Sequence, residues 1–354
     1  MELNLRNKKW KEFLIEDLFI VSIGKNVDGN KIDKLGGNIA YVTRKENNNG
    51  LDGFIDFNEN FINSFYPVIT IGNETAEPFV QNYLFYTGTK VNILTPKIIL
   101  SREVLNFICV SLRCHKSKYS YSYTINSARL RRQKILLPVT IKNEPDYDFM
   151  EQYICQKKVK KSNLYKEYIT KRIIKFGKVK EVEPLSVKKW KEFYLHDLFN
   201  FEKGDQNNMA ILINGDIPLV SAKKGDNGYK SFVTNNNKQI FPKNCLTLNN
   251  DGDGGAGISF YQPYKFTLDS HVTALFHKSN LNNHILLFIS RCITSQRDKF
   301  GHGYSLTNNR LQAFKMMLPI NIKGEPDYEY MEQYMKALEY SKLRTYLDWK
   351  NNHM

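Results

Sequence analysis

The densest run of chemistry-bearing side chains is residues 113–134, RCHKSKYSYSYTINSARLRRQK. It carries Arg113, Lys116, Lys118, Arg129, Arg131, Arg132 and Lys134, interleaved with Tyr119, Tyr121 and Tyr123. Ammonium and guanidinium groups neutralise phosphates, tyrosine hydroxyls can bond them, and a guanidinium can read guanine through two parallel bonds. A sparser run further along holds Arg291, Arg297, Lys299, His302, Tyr304 and Arg310. Two turn segments add to these: Arg44-Lys45-Glu46 with Asn47–Asn49, and Lys223-Lys224 with Asp226-Asn227. The amides of Asn49 and Asn227 suit adenine in a major groove, and equally suit an Asn-Gly hairpin turn. The plain alternative for all of these is a set of solvated turn residues beside core strands.

Catalytic patterns fail on spacing. The glycine-rich NNDGDGGAGIS at 249–259 lacks the Gly-Lys-Ser/Thr of a phosphate loop, and a calcium loop opening at Asp251 would place Gln262 where a carboxylate is required. It reads as a hairpin turn. Pro145-Asp146…Glu151 and Pro326-Asp327…Glu332 mimic a nuclease pattern, but Gln-Tyr follows each glutamate, and helix capping accounts for them better. Asp269-Ser270-His271 are triad residue types, but chain neighbours need not converge. No methyltransferase Asn-Pro-Pro-Tyr motif and no glycine-rich strand–turn–helix for S-adenosylmethionine is present. The sequence therefore predicts no catalytic site and no metal. Cys109, Cys114 and His115 lie close together without a second ligand pair.

The chain has 51 Lys and Arg against 36 Asp and Glu, a net charge of +15. Such an excess attracts polyanions, with nucleic acid first and an acidic membrane surface second. An odd count of five cysteines without a CxxC pair fits reduced thiols, and the charged first residues do not read as a signal peptide. A cytoplasmic protein with no membrane partner is expected.

The elements that must position these residues come in duplicate. KKWKEFLIEDLF at 8–19 returns as KKWKEFYLHDLF at 188–199, nine of twelve positions alike, and EPDYDFMEQY at 144–153 returns as EPDYEYMEQY at 325–334. Between them NIAYVTRKENNNG (38–50) matches DIPLVSAKKGDNG (216–228), Arg129-Leu130 matches Arg310-Leu311, and Leu137-Pro138 matches Leu318-Pro319. A period near 180 residues is a duplicated domain rather than a solenoid repeat. Shared ends imply a common scaffold, and divergent interiors imply two different ligand surfaces. Arg129 and Arg310 fall in the shared frame, which suits structure or phosphate contact better than base reading.

Short apolar runs at Ile39–Thr43, Pro67–Ile71, Val91–Leu94 and Lys134–Leu137 predict strands, with a helix over 101–117. The second unit predicts strands at Ile217–Ser221, Leu246–Leu248 and Val272–Phe276, with a helix near 281–297. After each mixed domain, Glu-Pro-Asp opens a longer helix. The first should run about 30 residues to Phe176-Gly177, roughly 45 Å. The second runs from about Tyr328, with Met331, Met335 and Leu338 on one face and Lys342 and Thr345 breaking the seam. Residues 157–181 hold ten Lys and Arg against two Glu, a run that suits a solvated face, DNA, or an acidic groove on a partner.

This organisation resembles the specificity subunits of type I and type IIB restriction–modification systems. The residues carrying the resemblance are the paired openings Trp10–Phe19 and Trp190–Phe199, the turns Asn49-Gly50 and Asn227-Gly228, and the endings Arg129–Tyr147 and Arg310–Tyr328. It covers essentially the whole chain in order. It implies an α+β fold: two tandem α/β target recognition domains, each followed by a long helix, the helices packing as an antiparallel coiled-coil spacer with pseudo-two-fold repeat. The expected division is 1–143 and 184–324 for the recognition domains, and 144–183 and 325–354 for the spacer helices. Each domain would read one half of an asymmetric, two-part double-stranded DNA target. Methyltransferase subunits, two of them, would dock on the spacer through Met150, Ile154, Leu164, Met331, Met335 and Leu338. They would bring S-adenosylmethionine, which this chain would not bind, and methylate adenine at N6; a restriction subunit would join them. The short C-terminal helix leaves type I and type IIB both open. Two other readings stand beside this one: a stand-alone bivalent DNA binder and a DNA endonuclease.

Overall fold

The computed structural model describes residues 2–120, 122–177, 179–208, 211–235, 237–251, 255–301 and 304–352. Tyr121 and His302, both named above, and residues 252–254 of the glycine-rich turn lie outside the described residues. The chain forms two compact units, Met1–Tyr165 and Lys166–Met354.

The first unit runs β1 (Trp10–Leu14), α1 (Ile15–Leu18), β2 (Phe19–Ile23), β3 (Ile39–Val42), β4 (Leu51–Ile55), β5 (Val68–Gly72), β6 (Pro78–Gln81), β7 (Phe85–Thr87), β8 (Val91–Pro96), α2 (Arg102–Arg113), α3 (Ser127–Arg131), β9 (Lys134–Pro138) and the start of the long α4 (Tyr147–Phe176), whose residues from Lys166 on belong to the second unit. Its sheets are ordered β2-β8-β5-β6, β4-β3-β7 and β1-β9. β5 is buried along its whole length because it is covered on both faces. Ile69 and Ile71 join the core under α2 with Leu105 and Ile108, while Val68 packs with Ala40, Val42 and Phe85 of the three-stranded sheet. The helix α2 forms because Val104, Leu105, Ile108 and Leu112 share a face and Ser101 Oγ caps its start at Val104 N–H, 3.3 Å. It stops at Arg113, four residues short of the sequence expectation, and a tight turn takes up Lys116–Lys118.

The second unit repeats this order: β10 (Trp190–Tyr194), α5 (Leu195–Leu198), β11 (Phe199–Lys203), β12 (Asn214–Val220), β13 (Tyr229–Val233), β14 (Cys245–Asn249), β15 (Ser259–Gln262), β16 (Thr267–Leu268), β17 (Val272–His277), α6 (Asn283–Thr294), α7 (Asn308–Gln312), β18 (Lys315–Pro319) and α8 (Tyr328–Asn352). Its sheets are β11-β17-β14-β15, β13-β12-β16 and β10-β18, position for position those of the first unit. The closing ladder has the same register in each: Trp10 faces Pro138 and Trp190 faces Pro319.

Both long helices start on an aspartate cap. Asp146 accepts from Phe149 N–H at 3.1 Å and Asp327 from Tyr330 N–H at 3.0 Å. Each cap also pairs with the opening lysine of its unit, Lys8 or Lys188. Within the second unit the end of α4 lies antiparallel to α8. Lys166 reaches Asn351 at 3.4 Å, and Arg172 grips Glu339 with two bonds of 2.7 and 3.1 Å. Ile169 is buried beside them.

The docking set expected on these helices divides. Met150 and Met331 are fully buried in the cores of their own units, and Ile154 and Met335 pack against those cores. Met150 and Met331 hold the helices to their domains and are corrected to that role, whereas Ile154 and Met335 are only half-buried; helical periodicity marks an apolar face without saying what covers it. Leu164 and Leu338 remain exposed. Among the described residues no helix is long and apolar enough to cross a membrane.

Candidate nucleic-acid interface

In the first unit Tyr119 and Tyr123 stack at 6.1 Å between centroids and 10° between planes, and the Arg129 guanidinium sits 4.0 Å above the Tyr123 ring. The backbone builds this: Ser120 and Tyr123 exchange two hydrogen bonds of 3.1 Å, closing a tight loop. Asn126 caps α3 at Arg129 N–H, and Arg129 Nη1 donates to the Thr124 carbonyl at 2.6 Å. Tyr119 is tied down through its hydroxyl, which donates to Gln133 at 2.8 Å.

The second unit builds the same object from different residues. Phe300 and Tyr304 stack at 6.3 Å and 19°, Arg310 lies 3.7 Å over Tyr304, and Arg310 Nη1 donates to the Ser305 carbonyl at 2.6 Å. Gly301 and Tyr304 exchange the loop-closing bonds. Tyr123 and Tyr304 are 50% and 51% exposed, so each unit presents an outward ring with a cation fixed on its face. A guanidinium has five donors and only one is spent on the carbonyl, leaving the rest for an anion.

Other candidates are committed inside the protein. Arg44 pairs with Glu74 at 2.9 Å and Lys45 with Asp52. Arg113 and Lys116 both hold Glu77, whose side chain is 9% exposed. Burial alone would raise the Glu77 carboxyl, but the bonds from Lys116 and Arg113 outweigh it and hold it below the usual carboxylate range. Arg131 donates to the Val21 carbonyl at 3.1 Å and Arg132 to that of Ala128 at 3.4 Å. Lys134 pairs with Glu12 at 3.2 Å, and its counterpart Lys315 pairs with Glu192 at 3.3 Å. Lys223 is held by Asp226 and the Tyr229 carbonyl. Among the described residues no carboxylate pairs with Lys118, Lys224 or Lys299.

The expectation that Asn49 and Asn227 face adenine is corrected. Asn49 Nδ2 lies 3.3 Å from the Val80 carbonyl and 3.1 Å from both Gln81 Oε1 and the Tyr83 hydroxyl. Asn227 Nδ2 reaches the Tyr261 carbonyl at 2.9 Å and Gln262 at 3.3 Å. Gln81 and Gln262 return bonds to the carbonyls of Asn49 and Asn227 and to Thr70 and Thr247. Both asparagines have left-handed backbone, φ 57° and 54°, which asparagine tolerates at such turns. They bolt the turn to the sheet.

The glycine-rich turn joins β14 to β15. There His271 Nδ1 lies 3.0 Å from Asp251, whose hydrogen bond raises the imidazole above its ordinary value. Among the described residues no three His, Cys, Asp or Glu converge as metal ligands would. Cys109 is buried, which pushes its thiol up to about 12, and Cys114 is exposed.

Three residues escaped the sequence reading. Lys203, Asn308 and Asn309 converge on a polar concavity of about 430 Å³ with Asn250, Asp251 and Ser270. They belong to no basic cluster; only comparison of the two repeats, position by position, singles them out.

A family model described as the type I restriction modification DNA specificity domain matches residues 7–167 and again 187–345. The BcgI specificity subunit of a type II restriction enzyme from Heyndrickxia coagulans is 39% identical over 333 residues, covering 94% of this chain and 95% of its own length. Among solved structures, the S subunit of a type I restriction–modification system from M. genitalium is 17% identical. It covers 99% of this chain and 94% of its own, at a TM-score of 0.49. The HsdS subunit from Thermoanaerobacter tengcongensis is 11% identical, covers 95% and 91%, and gives a TM-score of 0.32. With the family's domain matched twice, once on each unit, this chain belongs to the type I restriction–modification DNA specificity family.

Proposed function

We propose that this chain is the sequence-reading subunit of a restriction–modification complex and leaves the chemistry to its partners. One observation carries the reading: the framework is duplicated down to individual hydrogen bonds, while the side chains it displays differ. The Trp10 and Trp190 ladders, the Asn49 and Asn227 bolts and the Arg129 and Arg310 stacks recur. Two modules that dock alike and display different surfaces suit a two-part, asymmetric duplex target. The fixed stacks engage the phosphate backbone, which positions without specifying, and the variable residues reach base edges. A methyltransferase holding S-adenosylmethionine, in two copies, would methylate adenine N6 at the site so marked, and a restriction subunit would share the same address.

The test is a methylome of an unmethylated host co-expressing this chain and its methyltransferase. Adenine methylation at a gapped sequence with two dissimilar halves, lost when this chain is omitted, is the expected outcome. An active, co-purifying methyltransferase that leaves no such pattern would overturn the assignment.

A further inference from the structure

Where two frames coincide, the positions that differ in chemistry are those able to set different specificities. Aligning the repeats on Phe19 with Phe199 and on Arg129 with Arg310 places Ile23 with Lys203, Ser127 with Asn308 and Ala128 with Asn309. In the second unit these three line one polar concavity, continuous with the Tyr304–Arg310 stack through Ser305, whose carbonyl holds Arg310. In the first unit Ile23, 59% exposed, stands at the Lys203 position and Ala128 at the Asn309 position, while the Ser127 hydroxyl at the Asn308 position is spent on Asn92 at 2.7 Å.

We propose that Lys203, Asn308 and Asn309 are the base-reading residues of the second unit and select purines in its half-site; this rests on the sequence-reading function above. All three side chains are exposed, and among the described residues none is engaged by a protein partner. This contrasts with the committed Arg44, Arg113, Asn49 and Asn227. A free ammonium suits guanine O6 and N7, and a free amide suits adenine N6 and N7 through paired donor and acceptor. The neighbouring Asp251 carboxylate decides between bases and backbone. It repels a phosphate, whereas base edges carry no net charge. Asp251 is itself held by His271, so it does not neutralise Lys203 outright. The first unit, with Ile23 and Ala128 at the matching positions, offers contacts to thymine methyl groups instead.

The experiment uses the complete assembly with its methyltransferase, acting on a library of duplexes randomised across the target and read by methylation-sensitive sequencing. Lys203→Ile, Asn308→Ser and Asn309→Ala install the first unit's residues at exposed positions, and circular dichroism checks that folding is retained. Each should reduce preference at one purine position roughly 10- to 100-fold, confined to one half of the target. Ile23→Lys should alter only the other half. Uniformly weaker methylation with unchanged preference would identify phosphate contacts and overturn the proposal, as would altered preference in both halves. Should the unsubstituted assembly itself show no two-part preference, the sequence-reading function fails, and the proposal with it.

Discussion

A side-chain amide offers two donors and one acceptor, and at Asn49 the donors are spent on the neighbouring strand while Gln81 grips its backbone. Replacing Asn49 or Asn227 with alanine removes these bonds at a left-handed backbone position, and should cost about 2 kcal/mol in denaturant unfolding. Preference for target sequence should not change. Glu77 supplies a second test. Its folded-state carboxyl lies below its unfolded value, so its contribution is complete above the ordinary carboxylate range and is lost as pH falls through the lowered value. Glu77→Gln should therefore flatten the acid limb of stability against pH relative to the unsubstituted chain. The residue types of the interface were legible in the sequence. Their commitments were not, because Glu74 and Glu77 stand 30 and 36 positions from Arg44 and Arg113, and only the fold brings them together. Phe300 carries no interface signal in the sequence, because a phenyl ring offers no hydrogen bond, yet it fills the place Tyr119 takes in the first unit.

Secondary elements were the most legible scale. α4 ends at Phe176 as expected because a Gly-containing break follows, and it begins after the proline and aspartate that suit a first turn. The strands Ile39–Val42 and Val91–Pro96 sit where β-branched runs lie between turn residues. What periodicity withholds is the identity of the covering surface. Met331 belongs to the core of its own unit, so Met331→Ala should cost about 2–5 kcal/mol in the isolated chain. Leu338 is 42% exposed, so Leu338→Asp should leave isolated-chain unfolding nearly unchanged while weakening co-purification of the methyltransferase. At the α4–α8 pairing, burial would raise Glu339, but bonds from Arg172 and His284 outweigh it and keep the carboxylate charged. Arg172→Ala leaves that carboxylate with one partner, and should destabilise the second unit by about 2 kcal/mol, read by denaturant unfolding.

For the molecule as a whole, the duplicated order was the decisive sequence signal, and both the sheet order and the stacks repeat with it. The charge of +15 was legible too, but its distribution was not: Lys157 and Lys160 turn to Glu2, Lys158 to Glu103 and Arg172 to Glu339. Four of the eight cations on α4 are thus answered by acids of the chain. Lys118 and Lys299 lie in the interface runs with no carboxylate partner among the described residues, so the removal of each should be countable. Binding should weaken steeply with salt, and Lys118→Gln or Lys299→Gln should each lower the logarithmic salt slope by about one, measured by fluorescence anisotropy.

The two turn asparagines also bear on how the protein ages. Each precedes glycine, the dipeptide in which the following backbone nitrogen most readily attacks the side-chain carbonyl and expels ammonia. In both turns the departing nitrogen is anchored to the adjacent strand and the backbone is held left-handed. Deamidation therefore has to wait for the turn to open. Conversion of Asn49 or Asn227 to aspartate in stored protein, followed by peptide mass mapping, becomes a slow clock of local unfolding. Once it has struck, a carboxylate would face Gln81 Oε1 or Gln262 Oε1 with no proton to offer, and the loosened turn could not close again as it was.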